Sequence, residues 1–152
     1  YWAGVSNQEA AYLLSGSLFL FTVGRFVGTA LMKWISPAML LSWFAVANVL
    51  LCAVVVLFPG MIAVFSLMAV FFFMSIMFPT IFALGVNNLG EHTKRASAFI
   101  IMSIVGGALM PPVMGLVANK STALSFAVPL FCFAIVFYFA RFKAKDPSLR
   151  VE

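Results

Sequence analysis

Charge is scarce in this sequence. Of 152 residues, only 9% are Asp, Glu, Lys or Arg, whereas 64% are hydrophobic. A water-soluble domain is usually near a quarter charged and half apolar. With a mean hydropathy of +1.14, the chain has more apolar surface than a water-soluble fold can hide, and it belongs in lipid. Acidic residues are rarer still: Glu9, Glu91, Asp146 and Glu152, none of them within an apolar run. A proton relay through a membrane normally needs a buried carboxylate or histidine. The single histidine, His92, falls in a polar stretch. Any titrating group for proton movement therefore has to lie in other parts of the protein. The same poverty excludes paired-carboxylate chemistry, and no His-Glu-x-x-His or Gly-x-Ser-x-Gly pattern is present, so no enzyme is expected. Cys52 and Cys132 both sit in apolar runs. They read as small buried residues, not as a disulfide framework or metal site, and no cofactor is expected. No signal peptide with a basic start and a small-residue cleavage site is visible. The sequence opens on Tyr1 and reads as a piece of a longer protein. The net charge of +5 does not point to nucleic acid, because the basic residues fall at the ends of apolar runs and form no stripe.

What the chain has in abundance is long apolar runs. Residues 1–9 form an external loop or helix entry in which Tyr1 and Trp2 suit a membrane interface. Residues 10–142 hold five spans, at about 10–32, 38–58, 61–86, 96–118 and 123–140, and residues 143–152 form a basic tail. Each is about as long as the ~20 residues a helix needs to cross a bilayer. The runs are continuous, not alternating, which argues against a barrel. The fold class is therefore all-α: a polytopic transmembrane helix bundle of five spans. Arg25, Lys33, Lys94, Arg95, Arg141, Lys143, Lys145 and Arg150 collect on one side, against Lys120 alone on the other. By the positive-inside rule the loops at 33–37 and 87–95 and the C-terminal tail are cytoplasmic, and the chain sits in a cytoplasmic membrane.

The candidate functional residues are the polar, kinked and aromatic exceptions within the spans. In the third span, Pro79 marks a bend, because it removes a hydrogen bond and crowds the turn before it. Ser75 owns the carbonyl that loses its partner, and Ser75 and Thr80 are the polar groups nearby, a reasonable place for a ligand contact. By continuous helical spacing Met74, Met77, Phe78 and Ile81 share one face, either as plain packing or as a binding surface on which Phe78 stacks against a sugar ring. In the first span Asn7, Gln8, Tyr12 and Ser15 place polar groups at the outer mouth, with helix capping as the alternative role of Asn7 and Gln8. Arg25 either snorkels toward the cytoplasmic headgroups or faces the bundle and binds a carboxylate. Gly24 and Gly28 are spaced for close helix approach, in plain packing or in a dimer. In the fourth span Gly106 and Gly107, followed by Pro111 and Pro112, imply a bent or unwound helix, which is either a fixed kink or the border of a transport site. Ser103 shares a face with Gly107. Asn48, the sole amide of the second span, is expected to bond to a neighbouring helix.

Several of these motifs occur together. Ser75-Ile-Met-Phe-Pro-Thr-Ile-Phe-Ala-Leu-Gly85 resembles the tenth-helix signature of the fucose–galactose–glucose proton symporter family of the major facilitator superfamily. The likeness extends to Gly24-Arg-Phe-Val-Gly28, Asn88-Leu-Gly90, Ser97-Ala-Phe-Ile, Gly106-Gly107, Pro112-Val-Met-Gly115 and Phe139-Ala-Arg-Phe142. The resemblance implies the C-terminal half of a twelve-helix sugar transporter, with these spans as helices eight to twelve. The first, third and fourth spans would border the cavity and the second and fifth would lie outside. The partners would be a sugar, a proton, the lipid bilayer and the N-terminal six-helix half, which would carry the coupling acids. Met77, Phe78, Met74, Tyr12, Ser15 and Ser103 would line the sugar path, while Arg25, Pro79, Gly106, Gly107, Pro111 and Pro112 would serve gating or shape. The L-fucose permease pattern has Gln and Tyr at the positions of Met77 and Phe78; Met and Phe there favour a hexose such as glucose or galactose. A non-sugar carrier on the same scaffold and a non-transporting membrane sensor are the competing readings.

Overall fold

The computed structural model describes residues 6–58, 60–87, 89–119 and 121–143. Expectations for the entry at 1–5, for Pro59, Asn88 and Lys120, and for the tail at 144–152 lie outside the described residues. The chain is helical throughout: α1 (Asn7–Leu31), α2 (Pro37–Leu57), α3 (Met61–Met74), α4 (Met77–Val86), a 3-10 turn (Gly90–His92), α5 (Thr93–Ala108), α6 (Met110–Ala118), α7 (Thr122–Ser125) and α8 (Ala127–Lys143). No strand occurs among the described residues. With no water in the bilayer core to satisfy backbone groups, an open apolar run has no choice but to form a helix.

Local chemistry explains the ends. Ser6 caps α1, accepting from the Glu9 N–H at 3.3 Å, while the Ser6 N–H donates back to the Glu9 carboxylate at 2.9 Å. Such a reciprocal pair satisfies two amides that the first turn leaves open. Ser6→Ala should lower helix stability by about 1 kcal/mol, read as a lower Tm of the detergent-solubilised protein. Pro37 opens α2 at a position where its missing N–H costs nothing. Gly60, with φ of 119°, and Gly90, with φ of 51°, turn the chain into α3 and into the 3-10 turn, in backbone regions that side-chain-bearing residues avoid. Helix α5 starts at Thr93, earlier than the expected position near residue 96, so Lys94 and Arg95 ride on its first turn.

Two spans expected as single helices with proline bends break differently. In the third span the interruption falls at Ser75–Ile76, before Pro79: both residues stay right-handed (Ile76 φ −102°, ψ −4°), but the ladder tightens to a Ser75 N–H to Phe72 carbonyl bond at 3.4 Å. Pro79 sits in the first turn of α4, where its N–H would have no partner in any case. The strain of the proline is thus relieved one turn upstream. In the fourth span the break is one residue, Leu109, held by a tight turn from its N–H to the Gly106 carbonyl at 3.2 Å. Gly106 and Gly107 remain helical, and Pro111 and Pro112 lie in the first turn of α6. This segment is therefore kinked and not unwound. The fifth span is also divided, at Phe126 between α7 and α8.

Helix α2 carries more buried residues than any other described helix and packs against α3, α4 and α8. Its inward stripe is Ala38, Leu41, Ala45, Asn48, Cys52 and Val55, recurring every three or four residues. Met39, Trp43, Val46, Leu50 and Leu57 form the opposite stripe and stay exposed. Lipid tails are as apolar as these side chains, so close packing, not removal from water, holds the helices together. Ala45 and Ala140, each 0% exposed, are small enough to let backbones approach. Phe44 and Phe73 lock α2 to α3 edge to face, with centroids 5.1 Å apart. Helix α1 packs on α3, and α5 packs on α4. Helices α5 and α6 contain no buried residue, so the fourth span lies at the open side of the bundle.

Candidate functional site

The α3–α4 break is held from two sides. On the α1 side, Gly24 lies against the Phe72 carbonyl and the Ser75 hydroxyl, and Gly28 lies against Ile76. A Cβ at Gly24 would stand 2.6 Å from Ser75 Oγ, and one at Gly28 would stand 2.6 Å from Ile76 Cδ1. The small-residue spacing of α1 therefore serves packing within the chain, in the region where the third span breaks. On the α2 side, the Asn48 amide nitrogen donates to the Met77 sulfur at 3.2 Å. Asn48 does reach a neighbouring helix, as its isolation in an apolar span implied. Its other amide atom, Oδ1, is buried without a partner among the described residues. An idle buried acceptor costs roughly 1–3 kcal/mol.

These contacts alter the face read from the third span. The buried face runs in step across the break, with Val70, Met77 and Leu84 recurring every seven residues in one cluster. Met77 is 4% exposed and faces α2, with Thr80 and Leu84 one and two turns further on. It is thus part of the core and does not line the open face; the sequence-based placement of Met77 is corrected by its burial against α2. Phe78, 52% exposed, and Met74, 38% exposed, remain open. Ser75 and Thr80, the hydroxyls expected near a ligand, are both buried. The Ser75 hydroxyl donates to the Phe72 carbonyl at 2.8 Å and the Thr80 hydroxyl to the Ile76 carbonyl at 2.7 Å. Both carbonyls also accept a backbone N–H, so the hydroxyls are spent within their own segment and are not presented to the open face.

Height within the bundle sorts the remaining candidates. Gly16 lies by Met68, Gly24 by Ser75 and Gly28 by Ile76, so α1 runs parallel to the third span. Phe78 is then near the level of Thr29. Tyr12, which is exposed, is about 24 Å further along the axis, and Ser15, whose hydroxyl donates to the Ala11 carbonyl, is about 20 Å away. The structure does not bring these two to Phe78. Gly85 meets Ile100 across the antiparallel α4–α5 pair, and counting on from that contact puts Leu109 at about the height of Ile76. The two interruptions are thus level, and Gly106 and Gly107 stand about level with Phe78. Ser103 is exposed, one turn nearer the α4–α5 connection, and its hydroxyl is spent on the Ile100 carbonyl at 2.6 Å. Pro111 and Pro112 are exposed about level with Met74.

Arg25 is exposed and stands near the height of the break, with its guanidinium 5.9 Å from the Phe21 ring centroid. Among the described residues it pairs with no carboxylate. It belongs to a shallow groove along one face of α1, formed with Thr22, Phe26, Thr29, Ala30 and Lys33. Sequence reading singled out Arg25 but missed Thr22 and Thr29. Their recurrence at positions 22, 25, 29 and 33, three or four residues apart, was the available signal. Both threonines donate to carbonyls four residues back, to Leu18 at 3.0 Å and to Arg25 at 2.7 Å. A membrane helix that carries Arg25 on an unpartnered face, with Lys33 just beyond its end, is suited to protein or water there, and not to acyl chains.

No family model matches the chain. It is 39% identical over 147 residues to the L-fucose-proton symporter of Escherichia coli, an alignment covering 95% of this chain and 34% of that protein. It is 36% identical over 149 residues to a glucose/galactose transporter of Brucella abortus, covering 95% of this chain and 35% of that protein. The fold superimposes on the crystal structure of the major facilitator superfamily transporter FucP in the outward conformation with a TM-score of 0.90. That match has 38% identity and covers 94% of this chain and 35% of FucP. The chain thus spans about a third of the length of the relatives it matches. Alike in sequence along nearly all of its length and alike in fold, the chain has the fold of part of a major facilitator superfamily transporter and is similar to about a third of the length of proteins named L-fucose-proton symporter and glucose/galactose transporter.

Proposed function

We propose that the protein containing this chain carries a sugar, a hexose such as glucose or galactose or else L-fucose, across the cytoplasmic membrane together with a proton. The observation that carries this reading is the likeness, over 94% of the chain, to a fold whose relatives are named as sugar transporters and sugar–proton symporters. Transport proceeds by alternating access, with this bundle rocking against a second half of the protein about a shared sugar site. The broken third and fourth spans and the polar face of α1 border that site, with α2 and α8 behind them. Phe78 and Met74 supply apolar contact to the sugar ring, Gly106 and Gly107 leave room at the same height, and the kink before Pro111 and Pro112 lets the fourth span flex. Arg25 supports the cytoplasmic gate. The concentration of Lys and Arg at one set of span ends supports a cytoplasmic C-terminus. The coupling acids lie in the other half, since the spans described here contain no carboxylate of their own beyond Glu9 in the first turn of α1.

Uptake of labelled D-glucose, D-galactose and L-fucose by the full-length protein in sealed vesicles, at two external pH values, tests the reading. At least one sugar should accumulate, and faster at the lower external pH. Absence of pH-dependent uptake of all three overturns proton-coupled sugar transport, and accumulation of a different solute would favour a non-sugar carrier.

A further inference from the structure

We propose that Asn48 is a positioning residue for the sugar site: by holding Met77, its buried amide sets the rotation of α4 and so aims Phe78. The inference rests on the transport reading above. Helix α4 has only ten residues, and the hydrogen-bond ladder that would tie it to α3 is interrupted, ending with the Ser75 N–H 3.4 Å from the Phe72 carbonyl and resuming with the Thr80 N–H on the Ile76 carbonyl. Contacts from other helices therefore help to hold the inward face of α4 in step with that of α3. The buried stripe Met77, Thr80 and Leu84 faces that way, but Leu84 offers only non-directional contact, and the Thr80 hydroxyl is spent on the Ile76 carbonyl of its own segment. The bond from Asn48 to Met77 is the only one joining side chains of different helices among the described residues. Met77 and Phe78 are adjacent, about 100° apart around the helix, so fixing the first directs the second. A thioether is a weak acceptor, and a link of this kind orients more than it stabilises.

The idle Oδ1 atom of Asn48 points the same way. Asn48 is 0% exposed, and a leucine would fill a similar space without burying an unpaired acceptor. A residue that breaks the rule of buried polar satisfaction is expected where function requires it. Asn48 lies on the far side of α4 from the open face, so its effect on sugar has to pass through Met77.

The test uses the full-length transporter with Asn48→Leu, Met77→Leu and the double variant, all close to volume-conserving. Each single change should raise the KM for D-galactose or L-fucose about fivefold, with Vmax and Tm little changed. The double variant should be no worse than the worse single one, because both remove the same link. An unchanged KM, multiplying effects, or a KM shift that follows a fall in Tm overturns the proposal. If Asn48→Leu does not fold, Met77→Leu carries the same comparison. A second readout does not depend on sugar: N-ethylmaleimide labelling of Phe78→Cys, with Cys52 and Cys132 replaced by alanine. Adding Met77→Leu or Asn48→Leu should change the labelling rate at least threefold. Equal rates, including no labelling at all, overturn the positioning role; failure of the unmodified protein to take up any sugar sinks only the transport reading.

Discussion

Gly24→Ala should be the most damaging single-methyl change in this bundle. The added Cβ would meet the Phe72 carbonyl, a backbone atom, and come within 2.6 Å of Ser75 Oγ. A flexible side chain can move aside, but a carbonyl held within a helix cannot move without shifting α3. Overpacking typically costs about 1–3 kcal/mol, and this case belongs at or above the upper end. Gly28→Ala should cost less, because its new Cβ meets only side-chain atoms of Ile76, the nearest at 2.6 Å. Thermal unfolding in detergent, with the yield of monodisperse protein, gives the ranking. Ser75→Ala should not rescue Gly24→Ala, since the Phe72 carbonyl would remain in the way. A loss at Gly24 no greater than at Gly28 would show that α1 and the third span are not held as closely as described.

Phe78→Ala should weaken sugar affinity about tenfold, equivalent to ~1.4 kcal/mol, while Phe71→Ala changes it less than twofold. Phe78 is exposed on the side of α4 away from α2, whereas Phe71 is half-buried in α3, about two turns further along the span, roughly 10 Å away from the level of Phe78. An aromatic ring offers a large apolar face at little cost in side-chain entropy, suited to a sugar site that combines apolar walls with a few polar contacts. Met77→Ala provides the contrast: as a core residue at 4% exposure it should chiefly cost stability, about 2–5 kcal/mol as a large-to-small core change, read as a lower Tm. Sugar titrations followed by thermal shift, together with uptake KM, separate the two kinds of loss. Equal effects on affinity at Phe78 and Phe71 would overturn the orientation of α4.

The helical bundle itself was legible in the sequence, and for one physical reason. In a bilayer the backbone must satisfy its own hydrogen bonds, so length and hydropathy of the apolar runs lead directly to helices. The scarcity of charge made the few exceptions conspicuous. Arg25, the prolines of the third and fourth spans, the glycine pairs and Asn48 all drew notice before any coordinates. The order of motifs from Gly24 to Phe142 was enough to find the resemblance to a sugar symporter family, and the similarity in sequence and fold agrees.

What could not be read was which way each helix faces. In water an amphipathic stripe reveals the buried side, but in lipid the buried and exposed sides of α2 or α3 are equally apolar. Met77 and Phe78 therefore looked alike in sequence and were assigned to one face; packing against α2 takes one into the core and leaves the other, about 100° around the helix, open. Likewise a proline announces a bend only within about a turn, and the neighbours decide where the backbone yields. Here Gly24 and Gly28 bring α1 hard against Ser75 and Ile76, and the interruption lies there and not at Pro79. The sequence by itself determined the class of fold and the family resemblance, because those follow from hydropathy and motif order. Only the tertiary structure decided the rotation of α4, the use of the Ser75 and Thr80 hydroxyls and the facing of α1, because these depend on contacts between segments far apart in the chain.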